Sequence, residues 1–334
     1  MPTGSTGDVK LVYSRITGTG SQLPAKTVTN HDLEKIMDTS DQWIQERTGI
    51  CERRIVEDDE TTGTLAEQAC RKAMEAAQVD PSEIDLFIIG TTTPDLIFPS
   101  TACLLQKKLG LPDCGAMDVN AACSGFLYAL NIADKYIRCG DAKKVLVCGA
   151  ETLSKITNWN KRETAVLFAD GAGAVVLEAS EDPGILSSHI HANGDYADLL
   201  TTNVGVSRGW DAMEENDGKP EIMMRGNEVF KVAVRTLGRI VEETLGANNL
   251  KKSDLTWLIP HQANLRIISA MAKMLDMNMD HVVVTIDRHG NTSAGSVPLA
   301  LDEAVRDGRI QRGDLLMLEA FGGGFTWGSA LIRY

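Results

Sequence analysis

Short apolar runs alternate with amphipathic helical patterns along most of the chain. Apolar residues spaced three and four apart predict one helix that begins near Thr64 and another over about 226–245. A loop-like stretch rich in Gly, Asn and Asp covers 193–220. Continuous apolar runs bounded by Gly, Asp or Pro predict strands that are buried on both faces of a sheet, at residues 86–89, 145–148, 174–177, 255–259, 281–286 and 315–318. This alternation is typical of an α/β fold.

The two halves of the sequence resemble each other when one is shifted by 171 residues. Segment 82–88 then falls on 253–259, and segment 120–126 falls on 291–297. Chance similarity between α/β units is the alternative, but matches at a strand, a turn and a helix start in one register favour duplication. We therefore expect two equivalent halves, residues 1–185 and 186–334, whose corresponding loops meet at one site.

Composition and charge exclude several classes of function. The 334 residues include 33 Lys and Arg against 46 Asp and Glu, a formal net charge of −13, and only 5% are aromatic. Nucleic-acid binding favours a basic surface with aromatic stacking positions, and anionic membranes attract basic segments. No apolar run approaches the roughly 20 residues of a membrane span, and the polar first ten residues contain no signal-peptide core. We therefore expect neither nucleic-acid nor membrane partners.

All seven cysteines lie in the first half of the chain. Their odd number and the absence of CxxC spacing favour a reduced, cytoplasmic protein. Cys123 stands out because it lies in Asn-Ala-Ala-Cys-Ser-Gly, just before a predicted helix whose dipole favours a thiolate. A packed core thiol is the ordinary alternative. We expect that alternative for four of the others, Cys70, Cys103, Cys139 and Cys148.

Three polar or glycine-rich motifs in the second half could contribute to a site. His261, in Pro-His-Gln-Ala-Asn, follows a predicted strand, and strand ends are where α/β proteins bind ligands. Asn291, in Gly-Asn-Thr-Ser-Ala, lies in the repeat counterpart of the cysteine turn. The ordinary alternatives are a surface histidine and a helix N-cap. Three glycines at 322–324 can expose backbone N–H groups, but neither a Walker lysine nor GxGxxG accompanies them.

Taken in order, these motifs resemble the β-ketoacyl-acyl-carrier-protein synthase III family, the initiating condensing enzymes of bacterial type II fatty-acid synthesis. The resemblance covers about residues 11–334 and extends to Asp-Gln-Trp-Ile-Gln-Glu-Arg-Thr-Gly-Ile at 41–50 and Gly-Asn-Glu-Val-Phe-Lys at 226–231. Each motif alone is weak, whereas the ordered set is specific. The resemblance implies a thiolase-like fold of five αβαβα layers with two duplicated halves, which agrees with the repeat, and a homodimer.

The resemblance also implies residue roles. Cys123 is expected to be the nucleophile, and His261 and Asn291 are expected to handle the second substrate. The backbone N–H groups of Cys123 and Gly323 are expected to form the oxyanion hole. Trp43 and Arg47 are expected to bind the adenine end of coenzyme A. Phe98 and Phe168 are expected to close a short acyl pocket, with Phe98 crossing the dimer interface into the pocket of the partner subunit. Lys231, Arg266 and Lys273 are expected to dock the carrier protein.

The implied reaction is a decarboxylating Claisen condensation that uses no cofactor. Cys123, activated by the helix and by His261, takes the acyl group of a short acyl-CoA, with acetyl-CoA the expected donor. Malonyl-acyl-carrier-protein then loses CO2 and attacks the acyl-Cys. Because the carrier is acidic, the −13 chain needs a local basic patch to receive it. Three alternatives stay open: a condensing enzyme with an aromatic or longer starter, a papain-like Cys-His-Asn hydrolase, and a non-catalytic acyl-CoA-binding protein.

Overall fold

The structure is a computed structural model that describes residues 12–210 and 218–334. Within these ranges the helices are α1 Asn30–Glu34, α2 Asp41–Thr48, α3 Thr62–Ala77, α4 Thr101–Leu109, α5 Gly125–Cys139, α6 Arg162–Ala165, α7 Gly226–Ala247, α8 Leu265–Met274, α9 Ile286–His289 and α10 Ser296–Arg306. The strands are β1 Tyr13–Gln22, β2 Thr27–Thr29, β3 Glu52–Arg54, β4 Leu86–Gly90, β5 Gly115–Val119, β6 Lys144–Thr152, β7 Asp170–Ser180, β8 Ile185–Ala192, β9 Leu200–Thr202, β10 Ile222–Met224, β11 Trp257–Pro260, β12 Leu315–Gly322 and β13 Thr326–Arg333. The polar extension at residues 1–10 lies outside the described residues.

The first large sheet has the strand order β1-β7-β6-β4-β5. β4 runs parallel to β5 and β6, whereas β7 is antiparallel to β6 and β1. All five residues of β4 are buried, as the apolar run at 86–89 predicts. Side chains alternate between the two faces, so Phe87 packs with α3 and α4 while Ile88 packs with α5 and α10.

The second large sheet has the strand order β11-β12-β13-β8, with β11 parallel to β12 and the other pairs antiparallel. Leu316 and Leu318 on β12 face the central helices α5 and α10. Met317 faces the opposite way, toward α7 and α8. Helices, sheet, helices, sheet and helices therefore form five layers, with α5 and α10 shared by both sheets.

The 171-residue repeat is visible in the structure. The turn Ala122–Ser124 precedes α5, and the turn Ser293–Gly295 precedes α10 in the same register. The first residue of each turn has a positive φ, 46° at Ala122 and 49° at Ser293. The strand order β1-β7-β6-β4 matches β8-β13-β12-β11. The strands of the first sheet fall within 13–180 and those of the second within 185–333, while the division of the chain at residue 185 stays a prediction.

The predicted strand at 281–286 is wrong. Met279–His281 forms a short 3-10 helix, and Ile286 begins α9. In the described ranges a single bridge, from Val282 to Leu258, lies at the edge that β5 occupies in the first sheet. Val283 and Ile286 are fully buried, so this apolar run fills the core without pairing along its length.

Two smaller expectations also change. The stretch 193–220 contains a 3-10 helix, Gly194–Leu199, and the strand β9, although residues 211–217 lie outside the described part of the chain. Cys70 and Cys148 are buried as expected, whereas Cys103 and Cys139 are exposed. Cys103 is exposed because α4 buries a different face, formed by Ala102, Leu105 and Leu109.

Candidate active site

Cys123, His261 and Asn291 line one cavity of about 490 Å³. Cys123 comes from the turn before α5, His261 from the end of β11, and Asn291 from the segment between α9 and α10. These three positions are far apart in sequence but lie at equivalent ends of the duplicated halves. The three residues that the motifs single out are therefore brought to one site.

The cysteine turn is held by the glycine-rich segment and by β13. Thr326 Oγ1 donates to the carbonyl oxygen of Ala121 at 2.7 Å, and Ser124 Oγ donates to the carbonyl oxygen of Thr326 at 3.1 Å. A Cβ added at Gly322 would lie only 2.6 Å from the backbone nitrogen of Cys123. The backbone at Gly322 thus approaches the nucleophile candidate as closely as only glycine permits.

Burial decides the protonation state of Cys123. Its residue is 7% exposed, and this burial raises the pKa of the thiol to about 12, with the charge of Glu151 acting in the same direction. A hydrogen bond from Ser293 favours the thiolate but is outweighed. The expectation of a lowered pKa at this helix start is therefore wrong for the resting protein. Cys123 holds its proton at neutral pH and must lose it as it reacts.

His261 is a neutral, positioned imidazole. Its backbone N–H donates to the carbonyl oxygen of Glu319 at 2.8 Å, which extends the pairing of β11 with β12 by one residue. The ring nitrogen Nδ1 lies 2.6 Å from Ser296 Oγ. The residue is 5% exposed, and burial lowers the pKa of His261 to about 3. The ring therefore carries no charge at physiological pH.

Asn291 is fixed through both its backbone and its side chain. Its N–H donates to the carbonyl oxygen of Leu167 at 2.9 Å, and its carbonyl accepts from the Ala169 N–H at 2.9 Å. The side-chain Oδ1 accepts from the Ser293 N–H at 2.9 Å. That contact assigns the orientation of the amide, because an N–H donor needs the oxygen. The Nδ2 donors of Asn291 remain for the cavity.

An aromatic ring with two nearby cations lies elsewhere on the cavity wall. Trp43 and Arg47 on α2 both line the cavity, as the sequence motif suggests. The Arg47 guanidinium lies 4.3 Å from the centroid of the Trp43 ring, and that of Arg162 lies 4.4 Å from it. Arg162 was not anticipated, since it belongs to none of the motifs. This cluster combines a stacking surface with positive charge.

The two phenylalanines assigned to the acyl pocket occupy very different places. Phe168 is 4% exposed and lines the cavity, where its backbone also bridges to Asn291. Phe98 is 82% exposed and does not line the cavity of its own chain. Its neighbours Leu96 and Ile97 are also exposed.

The remaining assigned residues lie around the cavity or on the adjacent helices. Gly323 lies beside the cysteine turn, since a Cβ added there would lie 3.6 Å from the Ala122 Cβ. Arg266, at the start of α8, is exposed, lines the cavity and places its guanidinium 5.3 Å from the Phe230 ring centroid. Lys231 on α7 and Lys273 on α8 are exposed. The structure therefore places basic side chains on the two helices that adjoin the cavity.

Sequence reasoning missed two buried carboxyl groups near the site. Glu151 accepts hydrogen bonds from the Thr92 N–H and from four hydroxyls, those of Thr91, Thr92, Thr93 and Ser293. Burial raises its pKa to about 7. Neither carboxyl oxygen of Glu319 has a hydrogen-bond partner among the described residues, and burial raises its pKa to about 8. The one available signal was an acidic residue within an otherwise apolar strand pattern.

No group of three or more His, Cys, Asp or Glu side chains in 12–210 and 218–334 is arranged to hold a metal ion. Over the same part of the chain, no helix combines the length and the apolar character needed to cross a bilayer.

The duplicated five-layer fold with a Cys, a His and an Asn around one cavity defines a thiolase-like condensing enzyme. A 3-oxoacyl-[acyl-carrier-protein] synthase III from Aquifex aeolicus shares this fold at a TM-score of 0.90 and 48% identity, covering 96% of this chain and 100% of that one. The priming β-ketosynthase of the R1128 polyketide pathway matches at a TM-score of 0.90 and 36% identity, covering 98% of each chain.

Sequence comparison identifies the family. Residues 117–194 match the profile of 3-oxoacyl-[acyl-carrier-protein] synthase III, and residues 245–334 match that of its C-terminal part. A β-ketoacyl-[acyl-carrier-protein] synthase III from Xanthomonas campestris pv. campestris is 66% identical over 325 residues, 97% of this chain and 99% of that protein. The chain belongs to the β-ketoacyl-[acyl-carrier-protein] synthase III family.

The family assignment confirms the thiolase-like fold and the condensing acyltransferase activity of fatty-acid synthesis that the motifs imply. It is inconsistent with a papain-like hydrolase and with a non-catalytic binding protein.

Proposed function

We propose that the enzyme condenses a short acyl-CoA, acetyl-CoA above all, with malonyl-acyl-carrier-protein. The products are 3-ketoacyl-acyl-carrier-protein, CoA and CO2, and the reaction passes through an acyl-Cys123 intermediate. The observation that carries the proposal is a single cavity lined by the buried Cys123 thiol and by two neutral side chains, His261 and Asn291, with hydrogen-bonding capacity.

The first half-reaction transfers the acyl group. The sulfur of Cys123 attacks the thioester carbon, a new S–C bond forms, the C–S bond to CoA breaks, and the thiol proton ends on the CoA sulfur. Backbone N–H groups of Cys123 and Gly323 stabilise the oxyanion of the tetrahedral intermediate. The contact between Gly322 and the Cys123 nitrogen supports this assignment, because it places the glycine-rich backbone beside the cysteine turn.

The second half-reaction forms the new carbon–carbon bond. Cleavage of the malonyl C–CO2 bond leaves its electron pair on the remaining fragment, with charge on the thioester oxygen. Donors on His261 and Asn291 stabilise this enolate, and loss of one such donor typically costs about 10²–10³ in rate. The enolate carbon attacks the acyl group and releases the Cys123 sulfur, which recovers a proton. In this scheme hydrogen-bond donors absorb the charge, and no metal or redox cofactor takes part.

The surroundings of the cavity suit the two substrates. Trp43 offers a stacking face for the adenine of CoA, and Arg47 supplies charge for its phosphates. The exposed Lys231, Arg266 and Lys273 form a local basic surface on an otherwise acidic protein, which favours an acidic carrier. All seven cysteines are free, which fits a cytoplasmic enzyme.

A homodimer is part of the proposal. Leu96, Ile97 and Phe98 form a consecutive apolar and exposed segment, 50%, 66% and 82% exposed. Exposed apolar segments of this kind mark contacts with other chains. In a homodimer Phe98 would close the acyl cavity of the partner subunit, opposite the Phe168 wall.

One related function deserves a direct test, namely the use of a longer or aromatic starter. The observation that favours it is the 36% identity to the priming β-ketosynthase of the R1128 polyketide pathway over 98% of the chain. The preferred acyl donor can be measured by letting acetyl-CoA and a longer acyl-CoA compete to acylate a limiting amount of enzyme. Faster acylation by a longer starter at equal concentration would replace acetyl-CoA in the proposal.

The experiment that tests the proposed function is a complete assay with acetyl-CoA and malonyl-acyl-carrier-protein. We expect CoA, CO2 and 3-ketobutyryl-acyl-carrier-protein in equal amounts. Cys123→Ala should abolish acyl transfer and condensation. Release of CoA without a ketoacyl product, or product formation by Cys123→Ala, would overturn the proposal.

A further inference from the structure

We propose that Glu151 takes up the proton of Cys123 during acyl transfer, and that the Ser293 hydroxyl carries the proton between them. Glu151 then acts as the general base of the first half-reaction, through Ser293. The inference rests on the proposed function, which it deepens by naming the group that receives the thiol proton while the sulfur attacks the thioester.

A base is needed because Cys123 does not ionise by itself. Burial raises the pKa of its thiol to about 12, so almost no thiolate exists at neutral pH. The imidazole of His261, which lines the same cavity, is a poor acceptor because burial lowers its pKa to about 3. Loss of the proton must therefore be coupled to the attack, and a group in contact with the thiol must receive it.

Ser293 lies between the thiol and the carboxyl group. Its hydroxyl hydrogen-bonds to the Cys123 sulfur and lies 3.3 Å from Glu151 Oε1. Ser293 is 2% exposed and Glu151 is completely buried. A serine hydroxyl can both donate and accept, so it can take the proton from sulfur while it passes its own proton to the carboxylate. Hydrogen bonds of this kind are often long without substrate and tighten when the substrate binds.

Close backbone packing brings β6 against the turn that carries Ser293. Gly149 and Glu151 are two residues apart on β6, so they face the same side of the sheet. A Cβ added at Gly149 would lie only 2.2 Å from the carbonyl oxygen of Ala294. Because glycine permits this approach, the strand touches the turn, and the Glu151 side chain can extend to the Ser293 hydroxyl.

Hydrogen-bond donors keep Glu151 available as a carboxylate despite its burial. The Thr93 hydroxyl donates to Oε2 at 2.6 Å. The Thr92 N–H and the Thr92 hydroxyl contact both carboxyl oxygens, at 3.1 Å and 3.0 Å. Burial raises the pKa of Glu151 and these bonds lower it, with a result of about 7. A base whose pKa is near the working pH is well suited to general-base catalysis.

The charge balance favours transfer to Glu151 over loss of the proton to solvent. The charge of Glu151 already raises the pKa of Cys123. Loss to solvent would leave a thiolate and a carboxylate together in a buried site, whereas transfer through Ser293 leaves one negative charge on the pair. When the C–S bond to CoA breaks, the proton leaves Glu151 through Ser293 and ends on the CoA sulfur. Glu151 is then a carboxylate again.

The pH dependence of acylation tests this base directly. We expect the single-turnover rate of CoA release from acyl-CoA to rise with pH and to reach half of its plateau near pH 7, because the carboxylate is the active form. Glu151→Gln should lose this rise and react at least roughly 10²-fold more slowly at about pH 8.

Few groups other than Glu151 can produce such a profile. Cys123 faces Glu151, but the pKa of its thiol is about 12. The charged residues on the other elements packed against β6 bind partners of their own, as seen for Asp95, Asp134, Asp170, Asp302 and Lys144.

A second variant removes the relay and keeps the base. Ser293→Ala retains the backbone N–H that binds Asn291 Oδ1, and alanine already occupies the equivalent turn position, at Ala122, with a similar φ. We expect Ser293→Ala to slow acylation about as strongly as Glu151→Gln, and the double variant to be no slower, because both changes interrupt one path. Decarboxylation of malonyl-acyl-carrier-protein, measured as CO2 release without acyl-CoA, should change less than about threefold in each variant, because its donors are on His261 and Asn291.

Asp170→Asn is the matched control, since Asp170 is also a buried carboxyl bonded to a serine, Ser154. It should keep the wild-type acylation rate and pH profile. A wild-type pH profile in Glu151→Gln, equal losses in both half-reactions, or additive losses in the double variant would overturn the proposal. Failure of the proposed function is distinguishable, because wild-type enzyme would then form no acyl-Cys123 at any pH.

Discussion

At Cys123, burial and the position before a helix act in opposite directions on the thiol. A helix start favours a negative charge by typically 0.3–1 kcal/mol at exposed positions. Burial raises the pKa from an ordinary 9.0 to about 12, which corresponds to about 4 kcal/mol against the thiolate. Desolvation therefore exceeds the dipole, and the sulfur becomes an anion only when a substrate is in place.

Burial also raises the pKa of Glu319, and no hydrogen bond from the described residues to its carboxyl group opposes this shift. It lies on β12, next to the backbone that holds His261, and both its carboxyl oxygens are unpaired within the described structure. Burial raises its pKa to about 8, so it is neutral over most of the physiological range. A carboxyl whose pKa is raised in the folded state stabilises the fold below its ordinary pKa of 4.5, and that contribution is lost as pH rises toward 8.

Glu319→Gln should therefore remove a pH dependence of stability. The difference in free energy of unfolding between wild type and variant should decrease as pH rises from 5 to 8. The expected decrease is up to about 1.4 kcal/mol per pH unit. Urea unfolding of both proteins at equal concentration and several pH values measures this difference. A constant difference across the range would contradict the buried, neutral carboxyl.

The site residues that were predictable from sequence lie in recognisable local motifs, whereas the others do not. Cys123, His261 and Asn291 stand in distinctive motifs at predicted strand ends and helix starts, and the structure brings them to one cavity. Arg162 and Ser296 are common residue types whose importance depends on contacts with Trp43 and His261, far away in sequence. No local pattern encodes such contacts.

At the scale of elements, the glycine-rich segment after β12 sets the shape of the site. A Cβ on Gly322 would lie 2.6 Å from the Cys123 nitrogen and 3.1 Å from the Ser124 nitrogen. Real Cβ atoms do not approach backbone so closely, so the cysteine turn or the β12 end must move if this glycine is replaced. Displacements of this size are large relative to the tolerance of a catalytic site.

We expect Gly322→Ala to lower acylation of Cys123 by roughly 10²-fold while the protein stays folded. The rate of acyl-Cys123 formation and the circular dichroism spectrum measure the two parts of this prediction. Gly246→Ala, on α7 where nothing lies within 4 Å of an added Cβ, is the matched control. The control should keep full activity, and equal acylation rates in the two variants would contradict the close approach.

Helices α7 and α8 carry the basic side chains that a negatively charged protein needs for an acidic partner. Reversal of Arg266 and Lys273 to Glu should raise KM for malonyl-acyl-carrier-protein far more than KM for acyl-CoA, because long-range charge guides the docking of the carrier. The effect should weaken at high salt. Reversal of the exposed Lys107 and Lys108 on α4 is the control with equal charge change. Equal effects of the two double variants would refute a local docking surface.

The one mispredicted strand shows the limit of pattern reading for elements. The run at 281–286 is apolar because Val283 and Ile286 fill the core, and burial alone gives the same pattern as a central strand. Pairing requires a neighbour along the whole segment, and β11 offers Val282 a single bridge. The other predicted runs have such neighbours and form strands.

At the scale of the whole molecule, duplication explains why one site draws on both halves. The turns at 122–124 and 293–295 are related by the 171-residue repeat, and α5 and α10 carry them to the centre of the five layers. One turn supplies Cys123, and the segment before the other supplies Asn291. The repeat was predictable from sequence because it depends on a periodic pattern, and the layer order was predictable through the family resemblance, whereas the cavity depends on side-chain contacts.

The exposed segment around Phe98 predicts that two chains share each site. Light scattering should give twice the 36.2 kDa chain mass. We expect Phe98→Ala to form dimers with reduced condensation, because the partner no longer closes the acyl cavity. Mixing it with Cys123→Ala should restore activity, since the heterodimer contains one site with both an intact Cys123 and a partner Phe98. Heterodimers without recovered activity would contradict the shared site.

The central claim is that an acyl group passes through Cys123. The most direct measurement is mass spectrometry of the intact enzyme and its peptides after mixing with acetyl-CoA, without malonyl-acyl-carrier-protein. The account predicts one added acetyl group per chain, located on Cys123, which disappears when malonyl-acyl-carrier-protein is added and ketoacyl product forms. An acetyl group on another residue, or an unmodified enzyme that still turns over, would contradict the account.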